Sequence, residues 1–303
     1  MSLGWKWFIE YQTPHSAHMH GITRVVHSQK SKYQQIDIFD TEEYGRMLAL
    51  DGKVQSTVKD EFIYHETLVH PIMLAHQQPK AVLIVGGGEG GTLREVLRHP
   101  SVARVVMVDI DAAVIESSRK YIPELSNGAF DDRRAEVVVG DGRRFLERSG
   151  EKFDVVIVDV TDPLEGGPAA LLYTEEFYRA AFSAVGKAGA IVTQASSTYY
   201  STRCFATIAR TVGKVFGTAG GYHVWVPAYD SMWGFVYGYR GKDPRTILPE
   251  SVDGELKRRK ITGLRFYDGE VHRALFALPK DVVRCIGESD DVATDADPTF
   301  MPI

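Results

Sequence analysis

Two closely spaced carboxylates carry the clearest potential for chemistry in this sequence. Asp159 and Asp162 stand in the segment Asp-Val-Thr-Asp-Pro, directly after the apolar run Phe153 to Val158. An alkyl ammonium has a pKa near 10, so an amine must lose a proton before it can attack an electrophilic carbon. A carboxylate can first bind that cation and then accept its proton. We therefore predict Asp159 as a general base and Asp162 as an anchor for a cationic amine.

Two simpler interpretations of this acid pair stay open. Asp162 could form an Asx turn ahead of Pro163, and the two carboxylates could be metal ligands. The sequence around them offers no further acid cluster and no histidine pair. We therefore expect no metal site.

A glycine-rich segment, Val85 to Gly91, forms the second candidate site. Glycines such as Gly86 and Gly88, between a strand and a helix, let backbone N–H groups approach a nucleotide-like ligand. The order G-G-G-E-G-G differs from the dinucleotide-binding pattern G-x-G-x-x-G, and Glu89 would repel a pyrophosphate.

The charge of Glu89 also bears on which adenosyl compound fits. It would repel the carboxylate of S-adenosylmethionine but would pair with the bare ammonium of the decarboxylated compound. Glu89 therefore favours aminopropyl transfer over methyl transfer, unless it is merely a solvated loop acid.

Two more aspartates follow neighbouring apolar runs. Asp109 ends the run from Arg104 about 20 residues after the glycine loop, where a carboxylate commonly binds ribose hydroxyls. Asp141 lies in Gly-Asp-Gly after the run Ala135 to Val139, within reach of an adenine amino group. The carboxyl ends of parallel strands meet at one crevice, so we expect these groups to converge there. The alternative is a set of glycine turns with solvated aspartates.

The elements that must position these residues alternate between short apolar runs and helical stretches from residue 81 onward. Continuous apolar strands indicate a parallel sheet covered by helices on both faces. The predicted strands are Ala81 to Val85, Arg104 to Val108, Ala135 to Val139, Phe153 to Val158 and Gly189 to Thr193. Tyr222 to Val226 and Trp233 to Tyr239 are expected to add an antiparallel hairpin at the sheet edge.

The first 50 residues have a different pattern. Ile22 to Val26, Tyr33 to Phe39 and Met47 to Leu50 predict a small antiparallel sheet, with a turn at Asp51-Gly52. A helix is predicted from Asp60 to His70, ending at Pro71. We therefore expect an N-terminal β domain with a linking helix over residues 1–75 and a Rossmann-like catalytic domain over residues 76–303. The acidic tail from Ser289 is expected to be loosely ordered.

Composition narrows the partners and the compartment. The formal charge is −5 over 303 residues and the pI is about 6.1, which argues against a nucleic-acid partner and suits a cationic ligand. The two cysteines, Cys204 and Cys285, are expected to be buried thiols in a reducing cytoplasm. No signal-peptide pattern or membrane-spanning apolar run is present.

Several histidines and tryptophans are tempting but weaker candidates. His65-Glu66 followed by His70 is not a zinc-protease pattern, because the second histidine would have to stand at position 69. We expect three N-terminal histidines to be solvated and the four tryptophans to lie in the core or at an interface. These residues are His15, His18, His20, Trp5, Trp7, Trp225 and Trp233.

From about Tyr33 to Pro279, the chain resembles the spermidine synthase family of aminopropyltransferases. The matching segments are YQQIDIF, LALDGKVQSTVKDEFIYHETLVHP, VLIVGGGEGGTLREVLRH, VMVDIDAAVI, GDGRRFL, FDVVIVDVTDP, LLYTEEFY, VTQ, VPAYDSMWGF and VHRALFALP. The resemblance implies a methyltransferase-like Rossmann domain, doubly wound around a mainly parallel sheet and preceded by a small N-terminal antiparallel β domain. It also implies a homodimer or homotetramer.

The resemblance further implies a role for each matching residue. Decarboxylated S-adenosylmethionine would be a co-substrate, with no other cofactor. Its contacts, or those of the methylthioadenosine product, would be Gln34, Glu89, Asp109, Ile110, Asp141, Gly142 and Asp159. The amine would be held and deprotonated by Tyr64, Asp159, Asp162, Gln194 and Tyr229, with Asp159 accepting the proton and Tyr64 beside it.

Two departures from the usual family pattern bear on the acceptor. Glu89 stands where spermidine synthases usually carry aspartate. Residues 159–169, the gatekeeping loop, read DVTDPLEGGPA where D-S-S-D-P-x-G-P-A is common, which is two residues longer. These features look like thermospermine synthases and the aminopropyltransferases of thermophilic bacteria. We expect putrescine as acceptor, with spermidine or agmatine as alternatives. Methyl transfer and noncatalytic polyamine binding are the competing classes.

Overall fold

The computed structural model describes residues 6–302, which contain two β-sheets. The first sheet is antiparallel, with five strands in sequence order. Its strands are β1 (Lys6–Thr13), β2 (Ser16–Lys30), β3 (Gln35–Thr41), β4 (Gly45–Leu50) and β5 (Lys53–Thr57). Asp51 and Gly52 both have positive φ in the turn between β4 and β5, as the Asp-Gly pair predicts for a tight hairpin.

The second sheet has seven strands in the order β11-β12-β10-β9-β6-β7-β8. Strands β8, β7, β6, β9 and β10 are parallel, and β12 is antiparallel to both β10 and β11. The strands are β6 (Ala81–Gly86), β7 (Arg104–Asp109), β8 (Ala135–Val139), β9 (Phe153–Asp159), β10 (Val185–Ser197), β11 (Ala219–Val226) and β12 (Ser231–Tyr239).

Helices connect the strands and cover both faces of the second sheet. They are α1 (Glu61–Ala75), α2 (Gly91–Leu97), α3 (Ala112–Tyr121), α4 (Pro123–Ser126), α5 (Gly142–Ser149), α6 (Glu175–Ala184), α7 (Thr202–Phe216), α8 (Pro249–Arg258), α9 (Gly269–Leu275) and α10 (Lys280–Glu288).

The predicted fold class is confirmed, and burial explains why the sequence indicated it. The central strands β6, β7 and β9 are buried on both faces, so they appear in the sequence as continuous valine-rich runs. The predicted C-terminal hairpin is also present, although β12 lies inside the sheet and β11 forms its edge. The sequence analysis did not predict strand β1.

Helix α1, which we assigned to the N-terminal domain, packs against β9, β10 and β11 of the second sheet. The domain boundary at residue 75 therefore stays a prediction.

The predicted end of the first helix at Pro71 is wrong, because α1 continues four residues further. A proline inside a helix leaves the carbonyl four residues earlier without its usual N–H donor. Here that carbonyl belongs to Thr67, and the buried Tyr222 hydroxyl donates to it at 3.0 Å. A side chain 155 positions away in the sequence therefore supplies the missing donor.

The expectation of a loosely ordered C-terminal tail is also wrong. Residues 289–302 form no helix or strand, but several of them are fixed by hydrogen bonds. Ala293 and Met301 are only 1% and 3% exposed. The acidic composition suggested a solvated, loosely ordered tail. Asp295 instead forms an ion pair with Arg143, which holds the tail against the rest of the protein.

Within residues 6–302, no helix is long and apolar enough to cross a membrane. The two cysteines are unpaired thiols. Cys204 is buried as expected, whereas Cys285 is only partly buried.

We predict that Tyr222→Phe lowers the free energy of unfolding by about 1–3 kcal/mol, because the Thr67 carbonyl then loses its hydrogen-bond donor in a buried place. Urea unfolding followed by circular dichroism measures the change. Tyr199→Phe is the matched control, since Tyr199 is 75% exposed. Equal stability of the two variants would contradict this account of how α1 passes Pro71.

Candidate active site

One cavity of about 280 Å³ lies at the carboxyl ends of the parallel strands, beneath the first sheet. Every residue that the sequence placed at a donor or amine site lines this cavity. They are Gln34, Tyr64, Gly86, Gly88, Glu89, Asp109, Ile110, Asp141, Gly142, Asp159, Asp162, Gln194 and Tyr229. The strand order explains the convergence, because β6, β7 and β9 are neighbours that end at the same edge.

Asp159 ends β9 and lies beside Gly86, its parallel partner on β6. Gly86 has a φ of +84°, and a Cβ there would lie 2.1 Å from the Asp159 carbonyl oxygen. Only glycine permits this turn. The Tyr64 hydroxyl donates to Asp159 Oδ1 at 2.7 Å, and the Thr92 hydroxyl donates to Oδ2 at 2.6 Å. Both carboxylate oxygens are therefore held in place.

The protonation of Asp159 is set mainly by burial. Loss of contact with water, and then the nearby charge of Glu89, raise its pKa to about 6 against the opposing influence of His65 and the two hydroxyls. A carboxyl group with this pKa is ionised at neutral pH and is a stronger base than an exposed aspartate. These properties fit the predicted role in proton transfer.

His65 lies between two carboxylates and was not predicted as a site residue. Its Nδ1 is 2.7 Å from Glu61 Oε2, and its Nε2 is 2.9 Å from Glu89 Oε1. Burial opposes protonation of the ring, but the hydrogen bonds to Glu61 and Glu89 outweigh it and raise the His65 pKa to about 10. His65 is therefore an imidazolium at neutral pH, and Glu89 is not a solvated loop acid.

The remaining charge of Glu61 is balanced by a second cation. Arg94 on α2 donates to Glu61 Oε2 at 2.6 Å and to Glu95 Oε1 at 2.8 Å. Close packing of α2 against His65 depends on Gly91, where a Cβ would lie 2.4 Å from the ring. Glutamates and cations thus alternate from the cavity wall into the interior between α1 and α2.

Three groups in this region have the composition of a metal site. The ligand atoms of His65, Glu89 and Asp159 lie within 4.8 Å of one another. Both ring nitrogens of His65 already contact carboxylates, those of Glu61 and Glu89. The arrangement is better described as charge compensation between a histidine and its carboxylates.

Asp162 and Gln194 form the other end of the predicted catalytic region. Asp162 Oδ1 accepts from the Ser196 hydroxyl at 2.6 Å and from Gln194 Nε2 at 3.4 Å. Gln194 Nε2 also donates to the Val160 carbonyl at 2.8 Å and to the Tyr173 hydroxyl at 2.5 Å. The Asp162 carboxylate therefore contacts β10 across the cavity and does not form a simple Asx turn. Burial raises its pKa.

The donor end of the cavity is built around aspartates at strand ends. Burial, opposed by a hydrogen bond from the Asp111 N–H, raises the pKa of Asp109 to about 7. Asp111 in turn accepts from the Gln34 side chain at 3.1 Å, which links the first sheet to α3. Asp141 caps α5, where its Oδ1 accepts two backbone N–H groups, so its Oδ2 is left for other contacts.

Several cavity residues were missed by the sequence analysis. They are Glu10, Gln12, Lys53, Gln55, Trp233 and Met301, among others. Glu10 and Lys53 come from strands of the first sheet, whose side chains reach the second sheet only after folding. The one signal that could have indicated a site there is charge, because Glu10 and Lys53 are charged residues at buried strand positions.

The expectation that the N-terminal histidines are solvated is wrong for two of them. His20 is buried beside Glu10, and His18 is partly buried near Tyr200 and Asp230, so neither is solvated. Phe8 and Tyr44 pack against His20, and Tyr200 packs against His18. Their polar sequence context does not reveal these distant partners.

His15 is exposed as expected. Trp7 and Trp225 are about half exposed, at 54% and 47%. Trp233 lines the cavity, so it is more than a packing residue, while Trp5 lies outside the described residues.

Sequence models of two protein families match this chain. The description of the first is "Spermine/spermidine synthase domain", and it covers residues 61–246. The description of the second is "Spermidine synthase tetramerisation domain", and it covers residues 6–57.

Similar proteins match over nearly the full length. A polyamine aminopropyltransferase of Sulfurisphaera tokodaii is 43% identical, with 98% of this chain and 99% of that protein covered. Polyamine aminopropyltransferase 2 of Hyperthermus butylicus is 45% identical, with 99% of both chains covered. The crystal structure of spermidine synthase from Thermotoga maritima superposes with a TM-score of 0.86 at 39% identity, covering 94% of this chain and 95% of that one.

A second solved structure is similar and carries a ligand. It is a spermidine synthase in complex with the transition-state analogue AdoDATO. Its TM-score is 0.87 at 39% identity, with 94% of this chain and 96% of that chain covered.

We predict that the His65 ring remains protonated through neutral pH and that Glu61→Gln lowers its pKa. A pKa of about 10 lies above the ordinary histidine value, so the imidazolium stabilises the fold below about pH 6.5. That contribution is lost as the pH rises through about 10. NMR of histidine-labelled protein between about pH 6 and 11 measures both pKa values. Glu270→Gln, at an exposed position, is the control. Titration of wild-type His65 near pH 6.5 would contradict the charge assignment.

Proposed function

Because the chain belongs to the spermidine synthase family and is a polyamine aminopropyltransferase, we propose that it moves the aminopropyl group of decarboxylated S-adenosylmethionine onto putrescine. The products would be spermidine and methylthioadenosine. The sequence resemblance, the enzyme class and the fold it implied are confirmed by the family matches and relatives. The acceptor and the individual residue roles are proposals, supported by the geometry of the cavity.

The observation that carries the proposed mechanism is the fixed, partly buried carboxylate of Asp159, with a pKa of about 6. Putrescine enters as a cation and Asp159 accepts the proton from its attacking nitrogen. The nitrogen lone pair then forms a bond to the aminopropyl carbon next to the sulfonium. The carbon–sulfur bond breaks, and its electron pair neutralises the sulfur of methylthioadenosine. Tyr64 keeps Asp159 oriented toward the nitrogen.

We assign the donor to the half of the cavity around the glycine loop. Glu89 accepts a hydrogen bond from the ammonium of the aminopropyl group. The hydrogen bond between Glu89 and His65 fixes the carboxylate and therefore the position of that ammonium. Asp109 accepts hydrogen bonds from the ribose hydroxyls. The rest of the donor, including its adenine, is assigned to six other residues that line this half of the cavity. They are Gln34, Gly86, Gly88, Ile110, Asp141 and Gly142.

We assign the amine to the half of the cavity around Asp162. Its carboxylate binds the distal ammonium of putrescine, while Gln194 and Tyr229 line the channel. The buried Lys53 adds a fixed positive charge to the same cavity. The buried Glu10 lines the same cavity with the opposite charge, so we favour putrescine from the family resemblance and not from this charge. Spermidine stays the second candidate because the gatekeeping loop is exposed at Glu165 and Gly166.

We also propose that the chain acts as a homo-oligomer and needs no cofactor beyond its co-substrate. The outer face of β1 and β2 exposes large apolar side chains that a second copy of the chain could cover. They are Trp7, Ile9, Tyr11, Met19 and Val25. The family model that covers these strands is named for tetramerisation.

A product assay tests the proposed function. The protein is incubated with decarboxylated S-adenosylmethionine and, in parallel, with putrescine, cadaverine, agmatine, spermidine or norspermidine. We expect methylthioadenosine in every active reaction and the highest kcat/KM with putrescine. Intact S-adenosylmethionine is the control donor and is expected to give no product. A higher kcat/KM with spermidine or agmatine would refute the proposed acceptor.

We predict that Asp159→Asn lowers kcat by about 10²–10⁴-fold, because an amide cannot accept the proton of the amine. Donor affinity, measured by calorimetry, should change little. Asp162→Asn is the matched comparison, since it should mainly raise the KM for putrescine. Near-normal turnover of Asp159→Asn would show that another group is the base.

A further inference from the structure

The C-terminal tail, residues 289–302, returns from α10 to the carboxyl edge of the second sheet. The Ala293 carbonyl accepts the Glu175 N–H at 2.8 Å, and the Ala293 N–H donates to the Thr211 hydroxyl at 3.0 Å. Asp295 then forms a two-pronged ion pair with Arg143, at 2.8 and 2.7 Å. These contacts fix the middle of the tail beside α5, α6 and α7.

The end of the tail reaches the proposed amine site. Met301 is 3% exposed, and its N–H donates to the Pro163 carbonyl at 2.9 Å. Pro163 directly follows Asp162, the proposed anchor for the distal ammonium. Met301 also lines the active-site cavity itself. The tail is therefore in contact with the gatekeeping loop at the residue next to the amine anchor.

A second cavity, of about 540 Å³, lies behind Met301. It is partly open to solvent and is lined by the start of α7 and by the tail, including Thr202, Cys204, Thr207 and Ala293. Among residues 6–302, Met301 alone lines both this cavity and the active site. Met301 therefore lies where the two spaces meet.

We propose that the C-terminal tail completes the amine site, with Met301 as the residue that limits acceptor length. The side chain closes the amine half of the active site against the second cavity. The backbone N–H holds Pro163, and with it the turn that presents Asp162. Met301 is thus a specificity and positioning residue and takes no part in proton transfer. The inference rests on the proposed function only in taking the ligand of Asp162 to be an amine.

The expected effect of Met301 on acceptor length follows from its position between two cavities. Replacing a buried methionine with alanine leaves an opening that the surrounding residues fill only in part. Here the opening would join two cavities that already exist, so extra methylene groups of an acceptor could enter it. Alanine keeps the backbone N–H, so the contact with Pro163 can persist.

The test compares amine binding in wild type, Met301→Ala and Met301→Leu. Titration calorimetry with methylthioadenosine present measures the Kd of putrescine and of spermidine without requiring turnover. For Met301→Ala we expect a threefold or greater loss of putrescine affinity and a fivefold or greater shift of the affinity ratio toward spermidine. Met301→Leu keeps most of the volume and should behave as wild type.

Two controls separate this role from general destabilisation. Asp290→Ala changes an exposed tail residue that lines neither cavity, and it should leave both affinities unchanged. Removal of residues 298–303, which retains Ala293 and Asp295, should shift the affinity ratio in the same direction as Met301→Ala. Melting temperatures, and the affinity for methylthioadenosine, identify any variant that is simply unfolded.

An unchanged affinity ratio in both Met301→Ala and the truncated protein would overturn the proposal. Failure of the proposed function has a different signature. In that case wild-type protein would bind the amines without producing methylthioadenosine from the decarboxylated donor, while the shift in affinity ratio would still be measurable.

Discussion

The architecture of the site depends on keeping several carboxylates in one poorly hydrated cavity. Glu89, Asp109, Asp159 and Asp162 all line it, and their mutual repulsion has to be offset. The His65 imidazolium supplies that compensation on the inner wall, between Glu61 and Glu89. Burial, and after it the nearby charge of Glu89, still keep the pKa of Asp159 raised. A cavity with residual negative charge favours a cationic donor and a cationic acceptor, and releases a neutral methylthioadenosine.

The fold supplies the positions that this charge arrangement needs. Parallel strands β6, β7 and β9 bring the glycine loop, Asp109 and Asp159 to the carboxyl edge of the second sheet. Helix α1 contributes Tyr64, which contacts Asp159, and His65, which contacts Glu89. The first sheet and the C-terminal tail also contribute residues to the cavity lining. Residues far apart in sequence thus line the cavity in which we propose that the reaction takes place.

The sequence predicted the second sheet and the cavity residues on it because each depends on local pattern. Apolar runs followed by Asp109, Asp141 and Asp159 mark strand ends without any tertiary information. Prediction from sequence failed where a residue distant in the chain determines the local structure or charge. The continuation of α1 past Pro71 depends on Tyr222, the charge of His65 depends on two glutamates, and the order of the tail depends on Arg143. None of these partners is visible within a short window of sequence.

The pH dependence of kcat/KM for putrescine, measured at saturating donor, tests whether Asp159 takes the proton from a bound ammonium. If Asp159 is the base, we expect an acid limb with an apparent pKa at or below about 6, followed by a level region from about pH 7 to 9. If the solvent deprotonates the amine instead, kcat/KM would rise about tenfold per pH unit up to the amine pKa near 10. That continuous rise would contradict a base in the active site.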